Sequence, residues 1–165
     1  MRYGRRSALA LTGILVLSAP SIAGCGDTIQ QGAERIAEEA VGGDVEIDEG
    51  GVTVQGDQGQ ELAIGSDVVL PDSWPATVPA FDGGQLVVVS VQQADANAMW
   101  TSAGTPEAAR DQYRAALEAA GFVIDSESTI GGLTVIGATG NGYRVETTIG
   151  GAGGETSVTV TASRQ

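Results

Sequence analysis

Hydrophobic residues along this chain change their spacing several times, and each change marks a boundary. Ser7 to Gly24 carries no charge and holds a mostly apolar core, Ala8 to Leu17, behind Arg2, Arg5 and Arg6. A membrane-crossing helix needs roughly 20 apolar residues, whereas the core of an export leader is about 7 to 15 long. Pro20 blocks any extension, so residues 1–24 are expected to be a leader that is cut away. From Asp27 to Val41 the apolar residues Ile29, Ala33, Ile36, Ala37 and Ala40 recur at helical spacing, and Gly42-Gly43 is a stop signal. The spacing predicts a short amphipathic helix within residues 25–43. Its polar face is acidic (Glu34, Glu38, Glu39), which is not the cationic face of a helix lying on a membrane. Packing on the rest of the protein, or on a partner, suits it better.

Beyond Gly43 the period falls to two. Val45 and Ile47, then Val52 and Val54, then Leu62 and Ile64 predict three short strands, with turns at Glu49-Gly50-Gly51 and Gly56-Asp57-Gln58-Gly59. Three such strands are marginal alone, so residues 44–65 are expected to form a small β-meander that leans on the C-terminal domain. Residues 66–84 break the alternation. Pro71, Pro75 and Pro79 recur every four residues there. Each proline fixes its own φ and steers the residue before it away from helix, which predicts an extended, stiff connector.

Residues 85–165 carry the clearest pattern of a domain. Leu86–Val91 is a nearly continuous apolar run, as in a strand covered on both faces, and Ala98–Ser102 is a second strand. Thr105-Pro106-Glu107 then combines an N-cap, a proline at the first helical position and an acid in the first turn. Ala109, Tyr113, Ala116, Leu117 and Ala120 form a stripe to be buried, and Gly121 ends the helix. Glu107–Arg110 and Arg114–Glu118 are spaced to pair on the solvent face. Strands are predicted at Phe122–Ser128, Leu133–Thr139, Tyr143–Ile149 and Thr156–Ala162, with a tight turn at Gly140-Asn141-Gly142 and a looser loop over Gly150–Gly154. The expected fold is α+β: an antiparallel sheet of about six strands with one packed helix, preceded by a short helix and a small β-meander.

Composition narrows the partners. Once residues 1–24 are removed, five arginines face 21 acids, a formal charge of −16. That surface repels nucleic acid and anionic lipid headgroups, so neither is expected as a partner. The same acidity serves simply to keep an exported protein soluble. All eight basic residues are arginine, which with the Ala, Gly and Val excess points to a GC-rich genome such as that of an actinobacterium. Cys25 is the single cysteine, so the domain holds together without an internal disulfide.

Two motifs carry a resemblance. Ile22-Ala23-Gly24-Cys25 closes the leader like a bacterial lipobox. Leu70-Pro71-Asp72-Ser73-Trp74-Pro75-Ala76-Thr77-Val78-Pro79 comes after an Asp-Val-Glu-Ile-Asp segment at residues 44–48. Together they resemble a family of uncharacterised lipoproteins of actinobacteria and related Gram-positive bacteria, in which an α+β domain comes next. The resemblance implies a diacylglycerol on the Cys25 thiol, cleavage before that residue, and a mature protein held on the outer face of the cell membrane. It carries no activity. An ordinary signal peptidase could instead cut after Ser21-Ile22-Ala23 and leave Cys25 a free thiol. Arg5-Arg6-Ser7-Ala8-Leu9 hints at twin-arginine export, but Ala8 stands where a bulky residue is expected, and general secretory export fits better.

The search for chemistry is decided mostly by absences. Without His or Lys there is no Ser-His-Asp triad, Ser-Lys dyad, Schiff base, imidazole metal site or Walker lysine. Gly150-Gly151-Ala152-Gly153-Gly154 joins two strands rather than opening a helix and reads as a hairpin loop, not a phosphate cradle. Asp44-x-Glu46-x-Asp48 begins like a calcium loop, but Glu49 and Gln55 stand where that loop needs Gly and Glu. Alternation also lines these acids up on one strand face. Paired carboxylates could hydrolyse glycosides without histidine, yet Asp95, Asp125 and Glu127 are merely near strand ends and nominate no pair. Trp74 and Trp100 could stack on a ligand, or else fill a core poor in aromatics. The expectation is therefore a lipid-anchored, non-catalytic binding module for an envelope protein or cell-wall partner, lipidated at Cys25, with Trp74 and Trp100 as binding candidates. No catalytic residue, metal or cofactor is assigned. A structural spacer in an envelope assembly is the alternative, and a carboxylate-dependent hydrolase the third reading.

Overall fold

The fold is described from a computed structural model covering residues 43–56 and 59–165, with the side chain of Ala152 left aside. The leader, Cys25 and the expected amphipathic helix lie outside the described residues. Among the described residues nine strands and one helix succeed one another in order: β1 (Gly43–Ile47), β2 (Gly51–Gly56), β3 (Glu61–Gly65), β4 (Gln85–Gln92), β5 (Asp95–Ser102), α1 (Pro106–Ala119), β6 (Val123–Ile130), β7 (Leu133–Gly140), β8 (Tyr143–Ala152) and β9 (Glu155–Arg164).

All nine belong to one sheet, in the order β1-β2-β3-β4-β5-β9-β8-β7-β6, and every neighbouring pair is antiparallel. This corrects the expected sheet of about six strands with a separate meander before it. The strands of the meander exist, but β3 pairs with β4 from Glu61↔Val91 to Ile64↔Val88, so they continue the same sheet. The physical reason is the edge of β4. An unpaired strand edge presents free N–H and C=O groups, and three short strands close at hand satisfy it. Periodicity reveals a strand's faces, not the partner of its edge. The class remains α+β, with a much larger sheet.

Local chemistry explains the helix. The Thr105 hydroxyl accepts from the Ala108 N–H at 3.3 Å, and Pro106 occupies the first turn. At the other end Gly121 takes φ +85°, which lets the Gly121 and Phe122 N–H groups reach back to Glu118 and Leu117. Ala109, Tyr113 and Leu117 are buried on the sheet, as their spacing predicts. Arg114 pairs with Glu118 at 3.2 Å, whereas Arg110 turns to Asp111 at 2.7 Å instead of Glu107. Helix α1 lies over β6 to β9, and beneath it sit Ile136, Val145, Ile149, Val158 and Val160, each without solvent exposure.

The proline-rich segment roofs the part of that face beside it, over β4 and β5 and partly β3. It is folded rather than straight: Trp74 N–H bonds to the Pro71 carbonyl and Val78 N–H to that of Pro75, one turn per repeat. Trp74, Val78 and Phe81 are driven into the core. Trp74 and Phe81 meet Trp100 of β5 edge-on at 6.3 and 6.4 Å, and Phe81 meets Tyr113 at 6.3 Å. The Trp74 indole N–H donates to the Val78 carbonyl and the Tyr113 hydroxyl to that of Pro79. Helix and connector thus form one lid over one face of the sheet.

The glycine-rich loop also differs from expectation. β8 runs on through Ala152 and β9 starts at Glu155, leaving a two-residue turn in which Gly153 and Gly154 take φ +65° and +91°. Glycine supplies those angles without steric cost, so the strands can extend to the last available residue.

Candidate functional site

Among the described residues nothing covers the second face of the sheet. Register shows how it is made. Ile47, Val52, Ile64, Val88 and Met99 stand side by side across β1 to β5, and the same row continues through Thr159, Thr148 and Val135. In the next row Val45, Val54 and Leu62 lead to Ser90, Asn97 and Thr161. The face is therefore apolar over β1 to β4 and rich in hydroxyls from β5 to β8. The acids Asp44 and Glu46 alternate with Val45 and Ile47 and so belong to the lid side of the sheet.

The hydroxyl-rich half contains a depression of about 400 Å³. Its walls include Thr101, Thr148, Ser157, Thr159 and Leu133, with Glu155 at the rim. Gly150 makes it. A Cβ there would meet the Leu133 side chain at 2.8 Å, so the missing side chain opens space between Ser157 and Leu133. The β6–β7 turn at Gly131 and Gly132, with φ +60° and +83°, forms another part of the wall. Threonine and serine both donate and accept, so the surface offers neutral hydrogen bonding with little charge. Among the described residues its lining is hydroxyl side chains, glycine backbone and Leu133, with Glu155 as the one charged group.

The residues singled out from the sequence are not brought together here. Trp74 and Trp100 are 7% and 3% exposed and face the lid side, so they fill the core and present no ring to the open face. Asp125 is paired with Arg144 at 3.3 Å, and Glu127 with Arg114 at 3.1 Å, which ties α1 to β6. Asp95 lies exposed at the start of β5. The Asp48 carboxylate accepts from the N–H groups of Gly50 and Gly51 and caps the β1–β2 turn, an Asx-type role. Among the described residues no three acids or other ligand side chains gather closely enough to hold a metal ion. The Asp111 carboxylate beside Arg110 raises its guanidinium pKa further, so that arginine stays charged at any ordinary pH.

Sequence reasoning missed the open face. Its signal was present as Ser157, Thr159 and Thr161 alternating with Thr156, Val158 and Val160, but only register shows that Thr101, Thr148 and Gly150 join them. Comparison of the chain with protein-family models, with curated proteins and with solved structures returned no match. Among the described residues no helix is long and apolar enough to cross a membrane.

Proposed function

We propose that this chain is a membrane-anchored extracytoplasmic lipoprotein, held through Cys25, that acts as a non-catalytic binding module for a protein of the envelope. The observation that carries the reading is the hydroxyl-lined depression on the unroofed face, built from Thr101, Thr148, Ser157 and Thr159. A cell-wall glycan is the poorer ligand. Sugar rings are held largely by stacking on aromatic faces, and both tryptophans are committed to the core. A protein surface needs only shape and hydrogen bonds, which this face offers. The hydrolase reading gains nothing from the geometry, because Asp125 and Glu127 are engaged with arginines. The spacer reading draws on the apolar half of the same face, which could seat an assembly partner without any pocket.

The experiment is in-cell cross-linking beside a double variant, Thr148→Arg with Thr159→Arg, which fills the depression with long charged side chains. Wild type is expected to give a discrete cross-linked protein band that the double variant loses while remaining folded and membrane-bound. An unchanged band moves recognition elsewhere. Intact mass and membrane partition of wild type and Cys25→Ser test the anchor separately. Wild type is expected to carry a diacylglyceryl group on a chain beginning at Cys25, and the variant to leave the membrane. An unlipidated, secreted wild type ends the lipoprotein reading.

A further inference from the structure

The sheet ends at β6, and the outer edge of that strand is unpaired among the described residues. β6 contains no proline or lysine, the residues that commonly blunt a free edge. Every residue of it but Ile124 is exposed, Ile130 at 79%. Its ladder with β7 slips between Ile124 and Ser126, where Asp125 forms a bulge, so the regular stretch is Ser126–Ile130, centred on Ser128. Gly131 and Gly132 make a two-residue turn, which fixes Ile130 and Leu133 as a hydrogen-bonded pair. Pairs alternate from there. Ser126, Ser128 and Ile130 therefore direct their backbone groups at β7, while those of Glu127 and Thr129 point outward. The Thr129 and Thr134 hydroxyls meet at 2.9 Å, the close approach that a non-hydrogen-bonded pair gives.

We infer that a second copy of this chain pairs with this edge, β6 against β6 in antiparallel register about a two-fold axis at Ser128. Charge and register both favour that occupant. The chain carries a formal charge of −13, which opposes contact between two copies over most of their surface. The β6 edge is the exception. Glu127 reaches Arg114 at 3.1 Å and Arg110 at 4.0 Å, and Asp125 reaches Arg144 at 3.3 Å, so its acids are neutralised from within. At the opposite edge Asp44 and Glu46 of β1 have no such arginine among the described residues. Register then selects the axis. With the axis at Ser128, Glu127 stands opposite Thr129 of the second copy, and each exchanges its outward N–H and C=O with the other. An axis at Glu127 would set two glutamates face to face, and one at Thr129 would carry Glu127 past the strand end onto Gly131. The bulge at Asp125 and the turn at Gly131 bound the stretch that the chosen axis uses, equally on either side of Ser128. This axis is perpendicular to the sheet, so the open faces of the two copies look the same way.

Sedimentation velocity of the full chain over a concentration series tests this, with Cys25→Ser as the parent so that no other cysteine is present. A monomer–dimer equilibrium is expected. Ser128→Lys, at an exposed position, sets two ammonium groups face to face and should weaken the dimer roughly fivefold or more. Thr129→Pro removes an outward N–H and leaves the ladder to β7 its bonds, and should weaken the dimer roughly tenfold or more. Mild oxidation of Ser128→Cys should give a disulfide-linked dimer, because the facing residues of such a pair lie about 4.5 Å apart at Cα. Ser126→Cys, which would face Ile130 of the second copy, should not cross-link. A monomer at every concentration overturns the inference. So does a dimer that Ser128→Lys and Thr129→Pro leave unchanged, or one that cross-links equally through Ser126→Cys.

Discussion

Thr147 lies on β8 with its Oγ1 buried, and no described group hydrogen-bonds to it. A hydroxyl taken from water without a partner costs about 1–3 kcal/mol, and valine has nearly the same shape. Thr147→Val is therefore expected to stabilise the protein by about 1 kcal/mol. A higher denaturation midpoint at unchanged m-value would show it, and a lower midpoint would mean that the hydroxyl has a partner after all. Tyr113 is the opposite case. It has no exposed surface, its hydroxyl donates to the Pro79 carbonyl at 2.9 Å, and burial pushes the phenol pKa well above its ordinary value. The unfolded phenol titrates near pH ~10. Below that pH both states keep the proton and its contribution to stability is complete. Above it the unfolded state gives up a proton that the native state retains, so stability falls by up to about 1.4 kcal/mol per pH unit until the native phenol itself ionises. Tyr113→Phe should lose about 1 kcal/mol at pH ~8 through the missing hydrogen bond, and should then decline less steeply between pH ~10 and ~11.5 than wild type. Parallel pH profiles would refute the assignment.

At the scale of elements, the punctuation of the chain carries most of the structure. Gly154 holds φ +91° in the β8–β9 turn, and a Cβ added there meets open space, so any cost is conformational alone. Gly154→Ala is expected to destabilise by about 1 kcal/mol. Thr105→Ala removes the cap of α1 and should cost about as much, ~1 kcal/mol. Thermal melts of the two variants check both. These features were legible because they are local: a cap, a proline, an Asn-Gly turn and a helical stripe each lie within a few residues of one another. What could not be read was anything that depends on register or return of the chain. The β3–β4 ladder joins residues separated by the whole proline segment, and no spacing in either strand encodes that pairing. The same limit hid the candidate site. Trp74 and Trp100 stand out in the sequence because tryptophan is rare there, but rarity also makes them the best core fillers. Thr101 on β5 and Thr148 and Gly150 on β8 are distant in sequence and announce nothing until β9 aligns them from either side.

For the whole molecule, burial is strongly uneven along the sheet. β5, β9, β8 and β7 supply Ala98, Trp100, Val158, Val160, Val145, Ile149 and Ile136, whose exposure lies between 0% and 3%. On the same side of the sheet β1 and β2 supply Asp44, Glu46, Thr53 and Gln55, while Ala63 of β3 packs only partly on the core. Apolar area removed from water is what resists opening, at roughly 25 cal/mol per Å², so the two ends of one continuous sheet should differ in local stability. The β1 end also gathers acids in a chain with a large excess of negative charge, and their mutual repulsion opposes folding there. Native-state hydrogen exchange in low denaturant is expected to resolve two classes. Amides of β1 and β2 should exchange through a partial opening with a shallow denaturant dependence, slowed by added salt that screens the acids. Amides of β5, β8 and β9 should exchange only through global unfolding, with the full m-value. If all the strands shared one opening free energy, the β3–β4 ladder would be transmitting the stability of the core to the edge, and the sheet would be a single cooperative unit despite its uneven burial.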